Sequence, residues 1–205
     1  MKYDDEIITG NFYNKYETTN IIEKFLVDRY KRTLLHLIKS ITVNSIYEVG
    51  SGEGEIINIV SKLNDFKFIL GSDIDKKLLT QNTIKFPYSH WILNKAEQLP
   101  LRENSIDLVI ACEVLEHISS PEDFLEECKR LNAKYYLFSI PNEPLWRILN
   151  MMRLKYLSDF GNTPGHNNHW SKFKIRKLVS QYLDIKDIFF TQPWIFILAQ
   201  PYNNT

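Results

Sequence analysis

From Ser45 onward the chain keeps one rhythm. Short runs dense in Ile, Val, Phe and Tyr alternate with stretches of helical periodicity. Ser45–Val49 reads as a strand and Glu55–Leu63 as a helix; "KFILGSD", ending at Asp73, precedes a helix over Lys76–Lys85. "HWILN" and "SIDLVIAC" are further strands, and Ser120-Pro121-Glu122-Asp123 opens another helix, with serine as N-cap, proline first and acids in the first turn. "KYYLFSI" is a fifth strand, and "LDIKDIFF" and "PWIFILAQ" read as a closing pair. Such alternation predicts an α/β fold, a mostly parallel sheet with helices on both faces, because parallel neighbours need a crossover that a helix supplies. Ahead of it, Ile21, Phe25, Leu26, Leu34, Leu35 and Ile38 recur at helical spacing, which predicts a long amphipathic helix over about residues 20–40. Residues 141–171 break the rhythm and are too long for a plain link, so they read as a lid or substrate-recognition insertion.

The first strand ends in "EVGSGEGE", where Gly50, Gly52 and Gly54 alternate with polar residues. In doubly wound sheets a ligand lies beyond the carboxyl ends of the strands, where strand order reverses; glycines there let the backbone approach it. A dinucleotide loop is expected to read G-x-G-x-x-G, but here Glu55 stands at the third glycine's place, and Glu48 precedes the loop. Two carboxylates would repel a pyrophosphate and would suit a ligand carrying an amine or a sulfonium. Asp73 closes the second strand about 20 residues after the loop, where an acid can accept both ribose hydroxyls. The alternative reading of the loop is a plain tight turn, and that of Asp73 is a helix N-cap, which Asp75 could equally supply.

In order, "EVGSGEGE", "GSDIDKKLL", "NKAEQLPLRENSIDLVIACEVLEHI" and "SPEDFLEECKRL" resemble the successive motifs of class I S-adenosylmethionine-dependent methyltransferases, closest to the small-molecule subgroup that includes quinone-biosynthesis enzymes. The resemblance covers residues 45 to 140. It implies a Rossmann-like, doubly wound, seven-stranded, mostly parallel sheet of order 3-2-1-4-5-7-6 with S-adenosyl-L-methionine as cofactor. By the same similarity Gly50, Gly52 and Gly54 line the methionine part, Asp73 binds the ribose, and Ala96 and Glu97 border the adenine. Members often carry an acid before that pair; this chain has Lys95, so that contact is not carried over, and a backbone carbonyl can replace it. The whole chain then reads as one methyltransferase domain: 1–42 an N-terminal helical cap, 43–140 the cofactor-binding half, 141–171 the lid, and 172–205 a closing helix and strand pair.

Methyl transfer from a sulfonium is a single displacement, and a base is needed only when the nucleophile carries a proton. The residues facing the departing methyl should be "CEVLEHI", where Glu113, Glu116 and His117 stand at i, i+3 and i+4 and would share one face of a short helix. Glu113 and His117 are the candidate acid–base pair, since an imidazole titrates near neutrality; the bland alternative has Glu113 capping the loop and His117 packing under the cofactor. A sharper alternative adds His166 and His169 of "TPGHNNHW": the E-x-x-E-H string with a distant histidine resembles the metal site of small-RNA 3′-end 2′-O-methyltransferases, and quinone O-methyltransferases share the string. Two carboxylates and two imidazoles could hold a divalent cation there.

Composition narrows the acceptor less than the fold. Lys plus Arg and Asp plus Glu balance at 25 each, so bulk charge predicts neither nucleic-acid nor membrane binding, and the expected acceptor is a small, partly apolar molecule with an oxygen or nitrogen nucleophile. The balance hides an asymmetry: Glu97 to Glu127 carries nine acids against one base, and Pro144 to Lys177 seven bases against one acid. Leu145, Trp146, Leu149, Met152 and Tyr156 form an apolar stripe with Arg147, Arg153 and Lys155 off it, which serves either core packing or a lid whose bases meet an apolar or anionic acceptor. Gly161, Pro164 and Gly165 would be its hinge, and Tyr13 and Tyr16 would close the opposite side. Two cysteines without ligand spacing, a polar start and no long apolar run predict a cytoplasmic protein without a signal peptide. A nicotinamide oxidoreductase and a catalytically silent cofactor-binding module are the competing classes.

Overall fold

The computed structural model describes residues 20–63, 66–143, 145–152 and 167–202. The elements begin with α1 (Ile21–Lys39), β1 (Ser45–Val49), α2 (Glu55–Val60), β2 (Phe68–Asp73), α3 (Lys76–Lys85) and β3 (His90–Leu93). They continue with β4 (Leu108–Cys112), α4 (Pro121–Leu131), β5 (Tyr135–Pro141), α5 (Leu145–Met152), α6 (Lys172–Val179), β6 (Asp184–Thr191) and β7 (Trp194–Gln200). The strands form one sheet in the order β3-β2-β1-β4-β5-β7-β6, as expected from the motifs. The pairs from β3 through β5 are parallel, and β7 is antiparallel to both β5 and β6.

Side-chain alternation makes both faces apolar, as a sheet covered on two sides requires. On β4, Val109 and Ala111 join one core and Leu108 and Ile110 the other; on β7, Ile195, Ile197 and Ala199 oppose Trp194 and Phe196. The first core is closed by Phe124, Leu125 and Cys128 of α4 and by Ile175 and Val179 of α6; the second by α1 and α2. In α1 the buried residues Val27, Tyr30, Leu34, Leu37 and Ile38 follow the helical repeat, and Asn20 caps its start by accepting from the Ile22 and Glu23 amides. Tyr30 packs down onto the sheet face, its hydroxyl 2.7 Å from Ser139 Oγ on β5.

Two local readings change. Ser120 precedes α4 but makes no side-chain cap; Pro121 presets the first turn, and Glu122 and Asp123 there and Lys129 and Arg130 in the last turn complement the helix dipole. Helix α2 stops at Val60 and continues only as a turn to Leu63. Among the described residues no helix is long and apolar enough to cross a membrane.

Candidate functional site

Strand β1 pairs with β2 on one side and β4 on the other, so the chain's winding reverses at β1 and a crevice opens above its carboxyl end. Every site residue expected from the first two motifs lies at that edge. Gly50 has φ +67° and its Cα faces Val114: an added Cβ would stand 2.6 Å from Val114 Cγ2. Gly52 has φ +48° with nothing within 4 Å of the place a Cβ would occupy, so only its backbone conformation demands glycine and the space above it is open.

The Gly52 peptide is held from both ends. Its N–H donates to Asp73 Oδ2 at 2.8 Å, and its carbonyl accepts from Asn82 Nδ2 at 2.7 Å. Asp73 also accepts the Asp75 amide at 2.9 Å on its other oxygen, and a carboxylate's two oxygens together offer about four acceptor sites. Burial raises the Asp73 carboxyl above its usual range, opposed by the Asp75, Gly52 and Ile74 amides. Capping of α3 falls to Asp75, which accepts from Lys77 and Leu78, so the two acids of "DID" divide the two roles. Asn82, a buried residue of α3, had no sequence signal beyond its type; only the fold brings it to residue 52. Ile74, 43 % exposed although apolar, projects next to Asp73.

The two loop carboxylates do different things from those the sequence suggested. Glu55 is 2.8 Å from Lys85, which compensates its charge. Glu48 is 2 % exposed, and its carboxyl is pushed well above the usual range by burial first and by Asp73 and Glu55 after that, against the Ile57 amide, which lowers it. That amide belongs to the first turn of α2, whose N-cap, Gly54, has no side chain to offer. Glu48 therefore supplies from beneath the sheet edge the acceptor that the cap lacks. Its Oε2 has no hydrogen-bond partner among the described residues. Repulsion of a pyrophosphate is accordingly weaker than two free carboxylates would give. Ala96 is buried and Glu97 half-buried after β3, beside Asn94, whose side-chain oxygen meets the Tyr47 hydroxyl.

The segment after β4 departs from expectation. Residues 115–117 form a hydrogen-bonded turn, with the His117 amide donating to Val114 O, and no helix. Glu113 has φ +58°, an uncommon conformation for a residue with a Cβ. Its amide donates to Ser139 O, and its carboxylate accepts from the Trp194 indole N–H on β7. Glu116 is 1 % exposed while His117 lies at the surface, so spacing i, i+3, i+4 does not place the three on one face. What holds the turn comes from 50 residues downstream. Asn168 Nδ2 donates to Leu115 O and Ile118 O, Asn167 Nδ2 to His117 O, and the Trp170 indole to Leu115 O.

His169 does not join that turn. Its Nδ1 stands 3.9 Å from Glu143 Oε1, beyond the end of β5. Among the described residues no group of three or more His, Cys, Asp or Glu side chains is placed to hold a metal ion. His166, the proposed hinge residues Gly161, Pro164 and Gly165, the stripe members Arg153, Lys155 and Tyr156, and Tyr13 and Tyr16 lie outside the described residues.

Residues 47–134 match the family model described as a methyltransferase domain. A "probable S-adenosylmethionine-dependent methyltransferase" of Mycobacterium tuberculosis is 24 % identical over 123 residues, 59 % of this chain and 44 % of the relative. A demethylmenaquinone methyltransferase of Thermotoga maritima is 22 % identical over 118 residues, 57 % of this chain and 52 % of the relative. The chain thus spans about half the length of the curated relatives it matches. Among solved structures, magnesium protoporphyrin IX methyltransferase from Synechocystis with bound SAH aligns over 90 % of this chain and 89 % of that one, with TM-score 0.65 and 16 % identity.

Proposed function

We propose that this chain, whose residues 47–134 match a methyltransferase-domain model, is a class I S-adenosylmethionine-dependent methyltransferase that transfers a methyl group from that cofactor to an oxygen or nitrogen of a small acceptor. The observation that carries the reading is the Gly52 peptide, fixed by Asp73 and Asn82 beneath open space at the sheet's reversal point. The residues fit the cofactor. Gly50, Gly52 and Gly54 would line its methionine part; Asp73 would accept from the ribose hydroxyls; Ala96 and Glu97 would border the adenine, with Ile74 as an apolar platform. Glu48, beneath the loop, would set its shape and place a carboxyl near the amino group.

Bound there, the cofactor supplies an electrophilic methyl on a sulfonium sulfur. The protein's part is to orient and to exclude water. Of the candidate acid–base residues, Glu113 is anchored by Trp194 and orients the turn after β4, whereas His117, exposed on that turn, would be the residue to take a proton from an acceptor. We read the whole chain as one such domain, with residues 1–42 and 141–171 covering the site and 172–205 completing the sheet.

Calorimetry with S-adenosylmethionine tests the pocket. Wild-type protein should bind, while Asp73→Ala and Gly52→Val should each lose at least about tenfold, since a charged hydrogen-bond acceptor contributes ~1.5–3 kcal/mol. Undiminished affinity in both variants would remove the assigned pocket.

A further inference from the structure

Beyond the carboxyl end of β5 lies a second cavity, of about 260 Å³, lined by Glu143, Arg147, His169, Ser171 and Lys174. Glu143 is 7 % exposed and no side chain among the described residues hydrogen-bonds either carboxylate oxygen; burial raises its carboxyl, opposed by the charge and the backbone amide of Arg147, and His169 Nδ1 stands 3.9 Å away. A buried carboxylate with so few donors is costly, so the site favours a ligand that brings one more. Around it the charge is positive. Arg147 lies in α5 and Lys174 in the first turn of α6, a helix capped by Ser171, whose Oγ accepts the Lys174 amide at 3.4 Å. The two helix starts add their own positive ends. His169 is held below its usual value by burial first and then by Arg147 and Lys174.

A bare anion would meet the cations but press against Glu143; a bare amine would satisfy Glu143 but face Arg147 and Lys174. A ligand carrying an oxyanion with a hydroxyl beside it satisfies both. The cavity is also tied to the reacting region through one residue: Trp170 accepts the Glu143 amide on its carbonyl at 2.9 Å and donates its indole N–H to Leu115 O in the turn after β4. Its volume sits just below the ~300–1,000 Å³ of pockets that enclose whole ligands, room for a head group.

We propose that this cavity anchors the methyl acceptor by a phosphate or carboxylate adjoining a hydroxyl: Arg147 and Lys174 take the oxyanion, and Glu143 accepts the hydroxyl proton in a hydrogen bond. The assignment of the ligand as acceptor rests on the methyltransferase reading; the cavity's chemistry does not.

The test is a two-dimensional amide NMR titration of the ¹⁵N-labelled chain, saturated with S-adenosylmethionine, using glycerol 3-phosphate, glycerate, inorganic phosphate and glycerol as probes. Glycerol 3-phosphate or glycerate should shift the amides of Glu143, His169, Ser171 and Lys174 without displacing the cofactor, and whichever binds identifies the oxyanion. The Arg147→Gln/Lys174→Gln double variant, whose spectrum reports its own fold, should bind at least about tenfold more weakly, as loss of charge-assisted contacts predicts. Glu143→Gln should lose the preference for glycerol 3-phosphate over inorganic phosphate. No shift with either hydroxylated anion, equal shifts in the double variant, or displacement of the cofactor would each overturn the proposal. Failure of S-adenosylmethionine to bind in the same sample would strike the underlying reading instead, and is seen separately.

Discussion

The two halves of the crevice are built by different means. On the β1–β3 side the crevice is mostly backbone: a glycine loop, an aspartate, and a helix start, joined by contacts between residues 20 to 30 apart in sequence. On the β4–β5 side it is mostly side chains, and the bonds that shape it span 50 to 55 residues, from Asn167, Asn168 and Trp170 back to the turn after β4. The first half is local and stereotyped, and the second is assembled from afar. That division suits the proposed methyl transfer, with a constant donor and a particular acceptor, because loops positioned by a rigid scaffold can vary without disturbing it.

The largest expected effect breaks the boundary between the halves. Gly50→Ala would keep a strained positive φ, at ~1–3 kcal/mol, and drive a methyl into Val114 of the other half. Calorimetry should show about 100-fold weaker binding of S-adenosylmethionine, with partial recovery in the Gly50→Ala/Val114→Ala pair. Full affinity in the single variant would mean that the halves are not in contact where the cofactor sits. A smaller effect isolates the distal half. Trp170→Phe deletes the donor to Leu115 O, a bond of ~1 kcal/mol, so the amides of His117 and Ile118 should exchange about fivefold faster while cofactor affinity holds. A cofactor affinity that fell in step with that exchange would erase the distinction.

The smallest effect concerns the local half alone. Glu48 has a carboxyl raised in the folded state, so its ionised form opposes folding above that raised value, and the penalty disappears as pH falls through it toward the ordinary carboxylate range. Glu48→Gln should therefore gain stability relative to wild type at neutral pH in urea unfolding, and the gain should shrink on acidification. A difference that stayed constant with pH would show that the carboxyl titrates normally.

Much of the local half was legible. Short continuous apolar runs mark β1, β2 and β4, and the glycine spacing and Asp73 fall at the ends of β1 and β2. The distal half resisted for identifiable reasons. Glu113, Glu116 and His117 have a helical spacing, but three residues cannot nucleate a helix, and bonds from Asn167, Asn168 and Trp170 set a turn instead. The basic run that looked like one feature puts Arg147 and Lys174 into a cavity with Glu143, an acid outside the run's apparent logic. Glu55, read as facing a ligand, is turned to Lys85 by α3, whose placement spacing alone does not disclose.

By itself the sequence determined the α/β alternation, the strand ends that carry the crevice and the glycine conformations there, because each depends on periodicity or on a residue's own φ and ψ. Tertiary structure alone decided which polar groups meet: Asn82 with Gly52, Glu113 with Trp194, and Glu143 with His169. Those pairings follow from how helices pack on the sheet, and packing is a property of all the elements together.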